Sequence, residues 1–451
     1  MMTLSRRRLL QMVSLAPGLA LRGDQAGEKF IVRSASPEDF EMPLAGFDSW
    51  ITPVDRLFVR THIYKPKVDP ADWRLRVDGL VDHELTLNME ELKKLPRQEF
   101  VAVLECAGNG RSFYEPRVAG TQWRYGAVGN ARWAGVRLAD VLARAGVKSG
   151  ATDVMFNGAD VPMGKVPDFI RSVPLEKCRH EDTLLAFEMN GAPLTSSHGF
   201  PLRLIAPGWA GDSWVKWVTN ITVMDKEYDG FFMKTAYRRP LHTVAPGSAV
   251  DPSAMTPVTS LKPKSVIANP VAGQRLALAP ITISGAAWGG ETPIARVDVS
   301  TDNGRTWRAA RTGRDRAPYA WTLWQAPFTP SGEGSYVLMS KATDERGQTQ
   351  PLAEDWNPSG YLWNVVPAVR VEVGGGQAGP PPAEAAEIPP FPPKVKQACT
   401  SCHGADMVSG PRLTHVQWEK EVDKMVRWGA PVTPEDRGDI VDFLARAFGV
   451  K

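Results

Sequence analysis

The segment between residues 374 and 393 constrains this chain most, because it cannot pack a hydrophobic core. It contains four glycines and seven prolines, arranged as GGGQAGPPP and, further on, PPFPP. Glycine-rich segments are flexible, whereas proline-rich segments are extended and semi-rigid. The segment therefore predicts a linker that separates a long N-terminal part of the chain from a C-terminal unit over residues 394–451.

The N-terminal part contains two different patterns, which predict two domains. Over residues 35–250, short apolar runs such as 100–104 alternate with helical patterns such as 138–145, as expected for a mixed α/β domain. Over residues 258–370, strand-like alternation recurs with turn signals, including an Asn303-Gly304 pair suited to a hairpin. This second pattern predicts an immunoglobulin-like β-sandwich.

The first 26 residues predict an export signal. Paired arginines at positions 6 and 7 precede an apolar run from Leu9 to Leu21, which is shorter than the ~20 residues that a membrane span requires. Arginines in this position resemble a twin-arginine signal, which predicts export in the folded state to the periplasm. The alternative is a basic helix N-terminus at the start of a domain.

The C-terminal unit carries a C-x-x-C-H motif, formed by Cys399, Cys402 and His403. This is the pattern of covalent c-type haem attachment. Each thiol can add to one vinyl group of the porphyrin, and the adjacent histidine can then bind the iron. A zinc site would need a second pair of ligands, and His415 alone lies nearby. The motif therefore predicts haem c in a small all-α cytochrome domain.

A methionine is the predicted second iron ligand. Thr414 can cap a helix that places Met425 on its apolar face, and Thr433 with Pro434 predicts a second helix. Methionine ligation raises the haem potential, which suits an electron acceptor. A methionine of the core is the alternative for Met425, and Met407 is the alternative ligand. The unit resembles small bacterial c-type domains that use the methionine, through Trp418, Met425, Trp428, Gly429 and Ala430.

Cys106 is the second cysteine of interest, in the ECAGNGR loop over residues 105–111. A partly exposed cysteine beside Arg111 is expected to have a lowered pKa and can bind a soft metal as thiolate. A buried structural cysteine is the alternative, and the residues alone leave the two equally open. Cys178 has no such neighbours and is predicted to be a buried apolar side chain.

A series of short blocks places this loop in a wider context. The blocks are FVRTH (58–62), ECAGNGR (105–111), WAGVRL (133–138), FNGAD (156–160), EMNG (188–191), HGFPLR (198–203), PG (207–208) and VKW (215–217). In this order they resemble the molybdopterin-binding core of the sulfite oxidase family. The resemblance covers residues 40–370, including the β-sandwich, which mediates dimerisation in that family and so implies a homodimer.

The resemblance implies a molybdenum–molybdopterin cofactor with Cys106 as a ligand of the metal. The implied pterin contacts are Phe58, Val59, Arg60, Thr61, His62, Asp160, His198, Arg203, Trp214, Val215 and Lys216. The implied substrate pocket consists of Arg60, Arg111, Tyr228, His62 and Trp123. Guanidinium groups suit a small oxyanion because they donate paired hydrogen bonds and stay charged. Surface salt bridges are the alternative for the two arginines, and a turn cap is the alternative for His198.

One position departs from the family pattern. Animal and plant members carry a further anion-binding arginine in a W-N-x-R-G block, where this chain has Ser359 within WNPSG (356–360). The departure predicts a less positive pocket, which His62 could offset.

Together these features predict a periplasmic sulfite dehydrogenase. It would oxidise sulfite at molybdenum and pass electrons through the C-terminal haem to a cytochrome c. A sulfane-sulfur dehydrogenase is one alternative, and an electron-transfer cytochrome without molybdenum chemistry is another. The net charge of +3 argues against a nucleic-acid partner, and no apolar run is long enough to span a membrane.

Overall fold

A computed structural model describes residues 29–374 and 389–450. The predicted export signal over residues 1–26 lies outside the described residues, as does residue 451 and the stretch 375–388, which makes up most of the predicted linker. Within the two described ranges, no helix combines the length and the apolar character that crossing a bilayer demands.

The N-terminal part begins with a mixed α/β domain, as predicted. Its strands are β1 (Ile31–Ser34), β2 (Asp39–Glu41), β3 (Val59–Arg60), β4 (Leu75–Gly79), β5 (Leu85–Leu87), β6 (Arg97–Glu105), β7 (Val128–Arg137), β8 (Asp153–Gly158), β9 (Arg171–Pro174), β10 (Leu184–Met189), β11 (Ala192–Pro193), β12 (Arg203–Ile205), β13 (Val218–Met224), β14 (Arg238–Pro240) and β15 (Met255–Pro257). Its α-helices are Met89–Leu92, Leu138–Ala145, Leu175–Arg179 and Phe231–Lys234. Single 3₁₀ turns cover Leu44–Asp48, Arg111–Phe113, Ser196–His198, Gly211–Ser213 and Pro252–Ala254.

Three sheets and a separate two-stranded sheet of β14 and β15 organise this domain. One has the order β11-β10-β7-β6, with β12 also paired to β10, and its strands are antiparallel. A second has the order β5-β4-β13-β8-β9, in which β4 and β13 run parallel. The third joins β1, β2 and β3. The predicted helix Leu138–Ala145 buries Leu138, Val141 and Leu142 and ends at Gly146, whose φ of 71° closes the last turn.

The second domain is a two-sheet β-sandwich, as predicted. Its strands are β16 (Lys264–Asn269), β17 (Arg275–Leu276), β18 (Ile281–Trp288), β19 (Ile294–Ser300), β20 (Arg308–Ala309), β21 (Arg311–Thr312), β22 (Thr322–Phe328), β23 (Gly334–Asp344) and β24 (Ala368–Val373). The sheets have the orders β16-β18-β22-β21 and β17-β24-β23-β19-β20. Asn303 and Gly304, with φ of 59° and 79°, form the predicted turn between β19 and β20.

The C-terminal unit is helical and has a small core of its own. Its helices are Pro393–Cys399, Asp406–Ser409, His415–Arg427 and Pro434–Phe448. Thr414 caps the third helix in a reciprocal box with Gln417, and Thr433 caps the fourth. Both predicted helices are therefore confirmed. The unit lies against the α/β domain, where the rings of Trp428 and Phe231 are 5.2 Å apart.

A buried ion pair joins the α/β domain to the sandwich. Lys264, in β16, donates to Oε1 of Glu105 at 2.5 Å, and the indole of Trp288, in β18, donates to Oε2 at 2.7 Å. The amide of Asn109 also donates to Oε1, at 2.8 Å. Glu105 is the last residue of β6 and immediately precedes Cys106. The sandwich therefore fixes the strand end from which the Cys106 loop starts.

Replacing Lys264 by methionine should destabilise the protein strongly. The substitution leaves the carboxylate of Glu105 buried without its cation, and breaking a buried pair in this way costs about 3–5 kcal/mol. Chemical denaturation of the two proteins measures the difference in the free energy of unfolding.

Lys262→Met is the matched control for this experiment. Lys262 lies two residues away and faces Asp355 at 3.6 Å in a partly exposed pair, which is expected to contribute little. Equal stabilities of the two variants would show that the pair with Glu105 does not hold the domains together.

Candidate active site

Cys106 lies at the end of β6, in a tight loop. Its backbone N–H donates to the carbonyl oxygen of Ala127, and its own carbonyl accepts from Asn109, both at 2.9 Å. The side chain is 9% exposed, and burial raises its pKa although Arg111 and Arg60 act in the opposite sense. The expectation of a partly exposed cysteine with a lowered pKa is therefore wrong. A raised pKa is nevertheless compatible with metal binding, because a soft metal displaces the thiol proton when it binds a cysteine.

Arg111 is enclosed by backbone rather than paired at the surface. Its Nε donates to the carbonyl of Ser359 at 3.1 Å, and its Nη1 donates to the carbonyl of Thr121 at 3.0 Å. Gly108, Gly120 and Gly360 pack against it so closely that a Cβ atom at any of them would lie within 3 Å of the arginine side chain. Because its partners are neutral carbonyls, the guanidinium keeps its full positive charge for a ligand.

Arg60 faces the same space and has a different kind of partner. Its Nη1 donates to Oδ1 of Asp39 at 3.0 Å, and the side chain of Asp39 is 1% exposed. Burial lowers the pKa of Arg60, but Asp39, Tyr237 and Cys106 together raise it by a larger amount, so the net shift is upward. Sequence reasoning missed Asp39. It lies directly opposite Arg60 in the register of β2 and β3, which residue types alone do not reveal.

The structure brings Tyr237 and Tyr361 to this site, and not the predicted Tyr228. The hydroxyl of Tyr237 lies 2.5 Å from Nε2 of His62, and its ring stacks on Tyr361 at 5.2 Å. Tyr228 lines neither of the two cavities described below, and its backbone N–H donates to Ser172. Tyr237 has φ of 54°, a left-handed conformation that turns the chain after the helix Phe231–Lys234.

His62 is neutral in this environment. Burial lowers its pKa well below the ordinary value, and Arg60, Lys216 and Arg171 lower it further. Its ring stacks on Phe169 with centroids 4.0 Å apart. His62 therefore adds a hydrogen-bonding group to the site but no positive charge, so it does not offset the serine at position 359.

A cavity of about 550 Å³ lies between the α/β domain and the helical unit. Its volume is within the range of ligand sites. On one wall lie Asp39, Arg60, His62, Cys106, Arg111, Trp123, Tyr237 and Tyr361, and on the other lie Cys399, Cys402, His403, Met407, Trp418, Met425 and Leu444. The two motifs that the sequence analysis treated separately thus face one common space.

A narrow cleft continues from Cys106 into the α/β domain. Phe58, Arg60, His62, Cys106, Asp160, His198, Arg203, Trp214 and Lys216 line it together with Phe169, Asp212 and Trp217. Most of the predicted pterin contacts are therefore brought together. Val59, Thr61 and Val215 are buried but do not line the cleft, and they belong to the chain segments that hold its walls.

The cleft contains two cations without carboxylate partners among the described residues. Arg203 is 5% exposed, donates from Nη1 to the carbonyl of His198 and leaves Nε unpaired. Lys216 donates to the carbonyls of Arg60 and Ser197 at 2.9 and 3.0 Å. Burial lowers the pKa of Arg203 to about 9 and that of Lys216 well below its usual value. Buried cations of this kind fit an anionic ligand, as the phosphate of molybdopterin would supply.

The helical unit presents two thiols, an imidazole and two thioethers to the cavity. Burial raises the pKa of Cys399 to about 11. The Nδ1 of His403 lies 3.2 Å from the carbonyl of Gly404, so an Nδ1–H donor leaves Nε2 as the nitrogen for a metal. Met407 and Met425 both line the space. This set of donor groups fits a c-type haem. Since both methionines line the cavity, both are candidates for the second iron ligand.

Comparisons with known proteins agree with the α/β domain and the sandwich. Residues 62–232 match the family described as oxidoreductase molybdopterin binding domain, and residues 256–374 match the Mo-co oxidoreductase dimerisation domain. The chain is 37% identical to mitochondrial sulfite oxidase from Homo sapiens over 72% of its length and 62% of that protein. It is 35% identical to sulfite oxidase from Gallus gallus, over 73% of this chain and 75% of that one.

The fold also resembles a solved structure. Sulfane dehydrogenase SoxCD from Paracoccus pantotrophus superposes with a TM-score of 0.65 at 30% identity, over 77% of this chain and 87% of that one. The family matches end at residue 374, so they do not include the helical unit.

His198 should make the stability of the cofactor-free protein depend on pH. Burial, with Arg203 and Lys216, lowers its pKa to about 3, whereas an unfolded chain protonates histidine below about pH 6.5. The unfolded state therefore binds more protons in acid, and the free energy of unfolding should fall by about 1.4 kcal/mol per pH unit below that value.

The substitution His198→Gln should remove this part of the slope. His242→Gln, at an exposed position, should leave it in place. Denaturation curves between about pH 7 and 5 compare the three proteins, and parallel slopes for wild type and His198→Gln would mean that the folded protein protonates this imidazole normally.

Proposed function

The chain belongs to the sulfite oxidase family of molybdopterin oxidoreductases, and on this premise we propose that it is a sulfite dehydrogenase. In this proposal, sulfite is oxidised beside Cys106 and electrons leave through a haem c on the C-x-x-C-H motif to an external cytochrome c. The common cavity carries the proposal, because it joins an anion-binding wall to a haem-binding wall. The chain spans 62% of the length of the human relative.

The residues of the α/β wall would bind and orient the anion. The balanced reaction is SO₃²⁻ + H₂O → SO₄²⁻ + 2H⁺ + 2e⁻, and a bound molybdenum centre supplies the two-electron oxygen transfer while a haem accepts single electrons. Arg60 and Arg111, which both line the cavity, would donate to the oxyanion. Trp123, which is fully buried, contributes an apolar surface to the same cavity. The neutral His62 and Tyr237 complete the polar rim.

The cofactor assignments follow from the donor sets. Cys106 would ligate molybdenum, and the cleft with Arg203 and Lys216 would hold the pterin and its phosphate. Cys399 and Cys402 would attach the haem, and His403 would bind its iron. As the second iron ligand we favour Met425, because the sulfur of Met407 lies only 3.4 Å from the hydroxyl of Thr121 in the α/β domain.

Location and assembly are part of the same proposal. The paired arginines near the N-terminus and a c-type haem, which is attached outside the cytoplasm, both support a periplasmic protein. The match to a dimerisation domain over residues 256–374 supports a homodimer formed through the sandwich.

Oxidation of a sulfane sulfur is the second candidate function. Two observations favour it: the likeness to sulfane dehydrogenase SoxCD, and Ser359 at the position of an anion-binding arginine. Purified enzyme separates the candidates. Reduction of the haem by free sulfite supports the first proposal, whereas reduction only by a persulfidated carrier protein supports the second. Iron without molybdenum in the purified protein would contradict both and leave an electron-transfer cytochrome.

Cys106→Ser should abolish sulfite oxidation and leave the haem spectrum unchanged. A hydroxyl is a poor ligand for a metal that prefers thiolate, and the substitution leaves the haem-attaching cysteines and the iron ligands unchanged. Sulfite-dependent reduction of the haem absorption band measures the effect.

Cys178→Ala is the control for this variant. Cys178 is buried and makes one weak contact, from Sγ to the carbonyl of Val173 at 3.6 Å, so sulfite oxidation should persist. Turnover of Cys106→Ser at the rate of this control would disprove the assignment of Cys106 to molybdenum.

Met425→His should keep the haem covalently attached and lower its reduction potential, because imidazole favours ferric iron more than a thioether does. Met407→Leu should leave the potential unchanged. Redox titration of the haem band compares the variants, and the reverse pattern would assign the ligand to Met407.

A further inference from the structure

We infer that Asp39 determines the specificity of the anion site. By cancelling the charge of Arg60, its carboxylate limits how strongly the site favours a doubly charged anion over a singly charged one. The inference rests on the proposed function, since it concerns the anion which that function oxidises.

The carboxylate of Asp39 is built into the wall of the site. It is 1% exposed and lines the common cavity. Its Oδ1 accepts from Arg60 at 3.0 Å and from the backbone N–H of Thr61 at 3.3 Å, and its Oδ2 accepts from the hydroxyl of Thr121 at 2.8 Å. Two neutral donors and one guanidinium thus hold a negative charge beside the place where an anion would bind.

The charge of this wall follows from three side chains. Arg60 and Arg111 are positive and Asp39 is negative, so the charged residues of the α/β wall sum to +1. His62 adds nothing because its pKa lies well below the ordinary value. On the opposite wall Glu421 and Lys424 pair with each other at 2.5 Å, and Arg427 is exposed. The site therefore carries less positive charge than its two arginines suggest.

Asp39 also connects the two arginines. The hydroxyl of Thr121 donates to Asp39, and the carbonyl of the same residue accepts from Arg111 at 3.0 Å. A purely structural role for Asp39 is therefore a real alternative. The two roles predict opposite results. Loss of a positioning group would weaken the binding of all anions alike. Loss of a negative charge would instead strengthen binding, and the gain in binding free energy would be proportional to the charge of the anion.

The size of the charge effect follows from Coulomb interaction. With an effective dielectric constant of about 40, between the values for a protein surface and for water, and a separation of about 6 Å, removing one negative charge should strengthen binding on the order of tenfold per unit charge of the ligand. Methanesulfonate and sulfate are suitable probes because both are tetrahedral sulfur oxyanions, with charges of −1 and −2.

The experiment uses the holoenzyme and the variant Asp39→Asn, which keeps the shape of the side chain. Inhibition constants against sulfite, together with calorimetric dissociation constants, are measured for sulfate and methanesulfonate. We expect methanesulfonate to bind about tenfold and sulfate about a hundredfold more tightly than to wild type. The KM for sulfite should fall while kcat changes much less.

Glu99→Gln is the matched control. Glu99 is also a carboxylate held by arginines, Arg97 at 2.7 Å and Arg132 at 3.1 Å, but it lies at the far end of β6 from Cys106. Neither anion should bind differently to this variant. Equal or weaker binding of both anions to a folded, molybdenum-loaded Asp39→Asn protein would overturn the inference.

Wild type alone supplies a second test, should Asp39→Asn not fold. A wall with a net charge of +1 should bind sulfate no more than about tenfold more tightly than methanesulfonate, and a preference above about a hundredfold would refute the inference. If wild type did not oxidise sulfite at all, the proposed function would fail. The calorimetric ratio of the two anions would still decide the role of Asp39.

Discussion

The buried carboxylate of Glu105 is one of the contacts that join the two N-terminal domains, and it lies directly beside the active-site cysteine. A charge in a protein interior is tolerated only when its hydrogen-bonding capacity is filled. Here the sandwich supplies Lys264 and Trp288, and the loop itself supplies Asn109. Since the next residue is Cys106, neither domain alone defines where that thiol lies. The sandwich is thus part of the active-site scaffold in addition to any role in dimerisation.

The cofactor cleft differs from the site of Glu105, because two of its buried cations have no carboxylate partner among the described residues. Arg203 and Lys216 are held among neutral carbonyls, and burial lowers the pKa of each. An anionic group that binds there gains two cations already in place and relieves the cost of keeping them charged. Binding of this kind stabilises the folded state by mass action. The cleft is therefore expected to be less stable empty than filled.

Much of the architecture and part of the site could be predicted from sequence. The Asn303-Gly304 turn, the caps Thr414 and Thr433 and the C-x-x-C-H motif are local signals, so their structures follow from neighbouring residues. The short motifs that resemble the sulfite oxidase family, found in the same order along the chain, predicted that Arg60, Arg111 and Cys106 lie in one site. Asp39 and Tyr237 escaped notice because one depends on strand register and the other on a left-handed backbone. The pKa of Cys106 was predicted in the wrong direction because burial is a property of the whole fold.

The packing around Arg111 has a consequence for how this protein can vary. Three of its contacts are glycines, at positions 108, 120 and 360, where a Cβ atom would lie 2.7, 2.8 and 2.8 Å from the nearest atom of the arginine. The orientation of the guanidinium therefore depends on the absence of a Cβ atom at these three positions. Even an alanine at one of them would displace the side chain of Arg111. Selection for anion binding is therefore expected to act also on these three glycines, although they have no side chain that could contact the anion.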